Sequence, residues 1–356
     1  MAADSDENEA PCSTITPSST SCSNDENNPP PALTLAQQQQ ADDDAKGFPK
    51  NRFSHGVTKL WHIPPSLKTG KPVKLGIDEA GRGPVMGPMV YAAAFWKVEE
   101  DAAMIAMGFD DSKALDEKTR DGLFQRMLRT HAHLGWVIHS IPAAELAGKM
   151  LMKEPTSLNK ISHDSAADMI SLVLAEGVCV TEVFVDTVGD PEMYQKKLEG
   201  LFAHHSPRIT FVVAKKADSL YKTVSAASIA AKVTRDRAIS GWVWEEGFQG
   251  KGQVPLTNFG SGYPGDARCS EWLKGNSDSV FGFPSLVRFS WSTARDLMEK
   301  ECVKVEWEED EEDGGGLPAG TASIEAFIRP KPGAPKKARK RAKYFQTRGM
   351  ETVGDF

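Results

Sequence analysis

Apolar and polar positions change period several times along this chain, and each change marks an element. Val73–Asp78 is a short apolar run, and it gives way to the Gly/Pro-rich stretch from Gly81 to Pro88. Met89–Lys97 is a second apolar run, so the pair predicts an antiparallel hairpin. Asp116–Arg129 has Leu115, Leu123 and Leu128 near helical spacing and an Asp at its start, which predicts a helix. His133–Ile141 alternates as a strand does. From Ser162 to Glu176, Ala166, Met169, Ile170, Val173 and Leu174 share one helical face. Thr181–Asp186 predicts a short strand ending in an acid. Pro191 opens a helix to about Phe202, because Pro suits the first helical turn. Ile209–Ala214 predicts another strand, and Val224–Trp244 an Ala-rich helix. Shorter helices are predicted near Ala267–Lys274 and Ser285–Glu299. The sum is α/β: a five-stranded mixed sheet flanked by helices, with a C-terminal helical lobe.

Composition divides the chain. Residues 1–50 are rich in Ser, Asn, Asp, Pro and Gln, too polar to bury a core, and predict a disordered acidic extension. Residues 51–246 form the expected α/β domain, residues 247–304 the helical lobe, and residues 305–356 a disordered tail, first acidic and then basic. The formal net charge of −7 hides this segregation. It is −9 over residues 1–45, +3 over 46–304, −7 over 305–316 and +6 over 317–356. A mildly basic body with one very basic tail points to a nucleic-acid partner. Five scattered cysteines without a C-x-x-C pair fit a reducing compartment better than a disulfide framework or a zinc ribbon. Val85–Trp96 is the longest nearly apolar stretch, and it is too short to span a bilayer, which takes about 20 residues.

Four acids sit at strand ends. Asp78 and Glu79 close the first strand, Asp186 closes the fourth, and Asp218 follows the fifth. Taken singly, each has an ordinary role as a turn former or helix cap. Taken together at one sheet edge, their oxygens would repel, and a divalent cation would relieve the repulsion. An all-oxygen set suits Mg²⁺ or Mn²⁺ rather than Zn²⁺. Gly81-Arg82-Gly83 exposes backbone N–H groups around a phosphate-seeking guanidinium. In Gly260-Ser-Gly-Tyr-Pro-Gly-Asp266, glycines and a proline hold Tyr263 where its ring can stack on a base or sugar. Either motif alone is commonly just a turn or a loop plug.

The ordered text Gly76-Ile-Asp-Glu-Ala-Gly-Arg-Gly-Pro-Val85, Leu158-Asn-Lys-Ile-Ser-His-Asp164, Val185-Asp-Thr-Val-Gly189, Lys216-Ala-Asp218, Gly260-Ser-Gly-Tyr-Pro264 and Phe281-Gly-Phe-Pro-Ser285 resembles the catalytic subunits of eukaryotic type 2 ribonucleases H, of the ribonuclease HII family. The resemblance implies a ribonuclease H-like fold. It implies an endoribonuclease that hydrolyses the RNA of RNA/DNA hybrids and cuts 5′ of single ribonucleotides in duplex DNA, with two Mg²⁺ or Mn²⁺ ions and 3′-OH and 5′-phosphate products. Asp78, Glu79, Asp186 and Asp218 match the metal-binding acids. Gly81, Arg82 and Gly83 match the segment that reads the 2′-OH, and Tyr263 the ring that stacks on the adjoining deoxyribose. Lys113 and Lys216, with Lys215, Lys222 and Arg237, are expected phosphate contacts. The subtype implies two accessory subunits, for which Trp272, Trp291 and Phe281–Phe283 offer apolar surface, and a role in DNA replication and repair. The run from Lys336 to Lys343 reads as a nuclear localisation signal, and Thr321–Ile328 weakly resembles a sliding-clamp-binding box. Ala143–Pro155 departs from the family pattern.

Overall fold

The computed structural model describes residues 58–110, 112, 115–130, 132–244 and 256–304. The expected disordered termini, the basic run, the clamp-like box and Lys113 lie outside these residues.

The strands are β1 (Lys59–His62), β2 (Val73–Ala80), β3 (Met89–Lys97), β4 (Gly135–Ile141), β5 (Val180–Asp186) and β6 (Thr210–Ala214). They form one mixed sheet in the order β1-β4-β3-β2-β5-β6. The first four pair antiparallel, whereas β5 runs parallel to β2 and β6 parallel to β5. The sheet therefore has six strands, not five. The extra one, β1, is a four-residue edge strand with a single partner, β4, and it stops before Pro64 and Pro65. A segment that short carries no period to read.

The helices are α1 (Asp101–Ile105), α2 (Glu117–Arg129), α3 (Ala143–Leu151), α4 (Leu158–Ala175), α5 (Pro191–Leu201), α6 (Ala217–Leu220), α7 (Lys222–Ser240), α8 (Ala267–Gly275) and α9 (Ser292–Glu301). Caps explain several starts. Asp116, Ser157, Asp190 and Asp266 each accept a backbone N–H from the first turn of α2, α4, α5 and α8. The helix predicted from Ser285 begins only at Ser292. Residues 285–291 instead form turns, and the Arg288 side chain is committed to carbonyls far away in sequence.

Strand alternation sorts the core into two layers. Leu75, Ile77, Tyr91, Ala93 and Phe95 face α4 and α5, packing with Met169, Ile170, Val173 and Leu198. Ala92, Ala94 and Trp96 face α7 and α2, packing with Ala226, Ile229, Ala230, Phe124 and Met127. On that second face Gly76 matters. A Cβ there would overlap the backbone of Thr223 and Val224, so α7 lies directly on the central strand. A third cluster joins Val85 and Met86 to Trp272, Leu273, Phe283, Leu286 and Val287.

Candidate active site

The sheet register brings the acids to one edge. Ile77 pairs with Val185, and Asp186 with Ala214, so β2, β5 and β6 end side by side. Asp78 is buried, and its Oδ1 accepts the Glu79 N–H at 2.7 Å. Burial, then the charges of Glu79 and Asp186, push its carboxyl well above the usual range. The Ser228 hydroxyl of α7 opposes that shift, and it shares a 2.8 Å hydrogen bond with Ser112. Asp186 Oδ1 accepts the Ala217 N–H at 2.9 Å, which ties the end of β5 to the start of α6. Asp218 is buried in α6, and its backbone carbonyl accepts from the Ser225 hydroxyl at 2.6 Å. Lys216, just before α6, has φ 55°. A left-handed conformation is costly for a Lys, and here it turns the chain sharply from β6 so that Asp218 is carried inward.

Asp78 and Glu79 are neighbours on a strand, so their side chains leave opposite faces. Asp78 meets α7. Glu79 pairs across the ladder with Tyr91, on the face of α4 and α5. Burial and then the Glu79 charge push the Tyr91 phenol well up, and Tyr194 of α5 is raised by the same two causes in the same order.

The donor set is all carboxylate, two members, Asp78 and Asp218, are buried, and the charges of Glu79 and Asp186 oppose the ionisation of Asp78. Such a set fits a hard divalent cation. As the side chains stand, among the described residues no three His, Cys, Asp or Glu are gathered into a ready-made metal cluster.

Directly beyond Glu79 the chain enters the Gly81–Gly83 loop, and its carbonyls are held from behind. Arg288 is fully buried. Its Nε donates to the Gly87 carbonyl at 2.9 Å, one terminal nitrogen to the Arg82 carbonyl at 2.9 Å, and the other to the Gly81 carbonyl. Its guanidinium lies 4.6 Å from the Trp291 ring, and Trp291 Nε1 donates to the Gly83 carbonyl at 3.1 Å. Burial, and next the Arg235 charge, lower the Arg288 pKa to about 9, so it stays cationic at neutral pH. Arg235 of α7 is also buried, and it donates to the Met86 carbonyl at 3.1 Å. Gly81 has φ 79°, and a Cβ there would overlap the Arg235 side chain. The loop's carbonyls are thus engaged from behind by buried or partly buried side chains.

Tyr263 borders this loop. A Cβ on Gly83 would lie 3.3 Å from the ring of Tyr263, a residue that is 47% exposed. Val85 and Met86 donate to the Gly262 carbonyl at 2.9 and 3.3 Å, so the two loops are joined. Asp266 braces the second loop by accepting from the Ser261 N–H and hydroxyl, and these bonds hold its pKa down at about 2. Asn159 of α4 accepts a hydrogen bond from Arg82.

Among the expected phosphate contacts, Lys215 and Lys216 are exposed beside Asp218. Lys222 pairs with Asp110 at 3.3 Å, and Arg237 pairs with Asp121 and lies over Phe124. In the C-terminal segment Trp272 and Phe283 are buried, whereas Phe281 is 83% exposed. Sequence reasoning missed Arg288, Arg235 and Ser228. A charged residue inside the apolar text from Phe281 to Trp291 was the one available signal for Arg288.

A family model described as Ribonuclease HII matches residues 75–294, more than half of the chain. The chain belongs to the ribonuclease HII family. It is 49% identical over 246 residues to the A subunit of ribonuclease H2 from Arabidopsis thaliana, a match that covers 69% of this chain and 80% of that one. It is 43% identical over 304 residues to the A subunit of ribonuclease H2 from Rattus norvegicus, covering 85% and 97%. A solved ribonuclease H2 from Pyrococcus horikoshii OT3 is 30% identical and covers 64% of this chain and 98% of that one, with a TM-score of 0.49. This ribonuclease HII chain is therefore an enzyme, a ribonuclease H acting on RNA/DNA, and the acids and the two joined loops lie within the matched span.

Proposed function

We propose that this ribonuclease cleaves 5′ of single ribonucleotides embedded in duplex DNA as well as within RNA/DNA hybrids, leaving 3′-OH and 5′-phosphate ends. The observation that carries this is the junction of the Gly81–Gly83 loop with the Tyr263 loop, immediately beyond Asp78 and Glu79. Backbone amides of such a glycine loop would suit the ribose 2′-OH, the group that distinguishes RNA from DNA. A ring beside them suits a sugar face. Arg82, Lys215 and Lys216 supply cationic surface for the phosphates on either side.

Asp78, Glu79, Asp186 and Asp218 would hold two divalent cations, Mg²⁺ or Mn²⁺. Bound there, such ions activate water and neutralise charge on a phosphodiester. The protein's own part is positional. The α7 and α4 faces hold Asp78 and Glu79, the Ala217 N–H orients Asp186, and the left-handed turn at Lys216 brings in Asp218. No side-chain nucleophile is needed.

The test is a duplex carrying one ribonucleotide, offered with Mg²⁺. Cutting 5′ of the ribonucleotide is expected, and Asp186→Asn is expected to abolish it. Failure on this duplex with normal cutting of a continuous hybrid would refute the embedded-ribonucleotide specificity. Retained cutting by Asp186→Asn would refute the acid assignment.

Both relatives are named as one subunit of a larger enzyme, which supports assembly of this chain with accessory subunits. Phe281, exposed on a turn braced by Asp278, is an apolar group available for such contact. We further propose that residues 247–304 act as a lobe on a catalytic domain of residues 51–246, and that the enzyme works in the nucleus, in replication and repair, directed there by the Lys336–Lys343 run. Thr321–Ile328 would be its point of contact with a sliding clamp.

A further inference from the structure

Helix α4 carries two side chains one turn apart that reach the segments on both sides of the acids. Asn159 accepts from Arg82, and Gly189, at φ 87°, packs close enough that a Cβ would lie 3.3 Å from the Asn159 amide nitrogen. Four residues on, and so on the same helix face, is His163. Its Nε2 lies 3.2 Å from the Val188 carbonyl oxygen. Its ring stacks on Tyr194 of α5, with centroids 3.8 Å apart and planes within 14°. A carbonyl can only accept, so Nε2 carries the proton. Burial first of all keeps the imidazole's pKa below its usual value, in keeping with a neutral ring that donates once.

Val188 is separated from Asp186 by Thr187 alone, and the Thr187 N–H donates to the Ala214 carbonyl at 3.0 Å. The segment after Asp186 is thus anchored to β6 on one side and to His163 on the other. His163 in turn is backed by a buried tyrosine. A group so placed touches no reacting atom but controls where a reacting segment lies.

We propose that His163 is a positioning residue for Asp186, acting as a hydrogen-bond donor to the Val188 carbonyl with Tyr194 as its backstop. Through α4 the same brace extends to Asn159 and Arg82, so that the acid-bearing segment and the glycine loop keep a common frame. The proposal rests on Asp186 serving in catalysis.

The experiment compares the full-length chain, in the assembly that carries wild-type activity, with His163→Phe, His163→Gln and Asp186→Asn in steady-state cleavage of an RNA/DNA hybrid. His163→Phe keeps a stacking ring and loses the donor. His163→Gln places an amide donor near the position of Nε2. His163→Phe is expected to lose roughly tenfold in kcat with KM within about twofold, as for a small misplacement of a reacting group. His163→Gln is expected to recover most of that loss. Wild-type turnover by His163→Phe beside an inactive Asp186→Asn overturns the proposal. Equal losses in both His163 variants, in step with their melting temperatures, also overturn it, because they reduce His163 to packing. An active Asp186→Asn removes the premise instead. If His163→Phe is unfolded at the assay temperature, His163→Met, equally unable to donate, must show the same split.

Discussion

At the scale of single residues, buried polar side chains set the tolerances of this enzyme. The three donors of Arg288 end on three carbonyls of one loop. Lys cannot reproduce that fork, and each buried carbonyl left unpaired costs about 1–3 kcal/mol. Arg288→Lys should therefore lower stability by about 2 kcal/mol or more and raise KM for ribonucleotide substrates, checked by urea unfolding and steady-state kinetics. His139 makes a different point. It is buried on β4 and shares a 2.7 Å hydrogen bond with Ser165. Burial, then the Lys59 charge, lowers its pKa from 6.5 to about 4. Between those values the unfolded chain binds a proton that the folded chain refuses, so stability falls as pH drops from 6.5 towards 4. The loss is roughly 3 kcal/mol at most. Unfolding curves across that range should show this acid limb, and His139→Gln should flatten it.

Elements decide the architecture by how closely they approach. The Ala-rich α7 rests on the small residues of β2 and β3, at Gly76, Ala92 and Ala94, and brings Ser228 to Asp78. One added methyl group at Gly76 would meet backbone, which cannot swing aside. Overpacking of this kind costs about 1–3 kcal/mol. Gly76→Ala should lower the urea midpoint by a corresponding amount, and a wild-type midpoint would show that the helix can shift. Much of this level was legible in the chain. Strand periods, the Asp116 cap and Pro191 indicated five strands and the main helices close to their observed positions. β1 was not, since four edge residues carry no period. The helix read from Ser285 was, except that its start at Ser292 was not, because the partners that hold Arg288 in the preceding turns lie some 200 residues away.

For the whole molecule, charge is a matter of distribution. The negative charge belongs to residues 1–45 and 305–316, at −9 and −7, while residues 46–304 carry +3 and residues 317–356 carry +6. If the basic tail meets phosphate, deleting residues 329–348 should reduce the slope of log affinity against log salt for a hybrid duplex, by about 0.9 for each phosphate that the tail neutralises. An unchanged slope would show that the tail neutralises none.

Sequence alone singled out the strand-end carboxylates, the glycine loop and the tyrosine as candidates, because each lies in a motif of a few consecutive residues. It determined the α/β class for a similar reason, since period 2 and period 3.6 are local. Only the tertiary structure decided that Asp78 and Glu79 serve opposite faces of the sheet. It also decided that Arg288 and Trp291 hold the glycine loop from behind, and that His163 reaches past its own helix to the Val188 carbonyl. Those relations depend on close packing between segments distant in the chain, and no short window of sequence contains both partners.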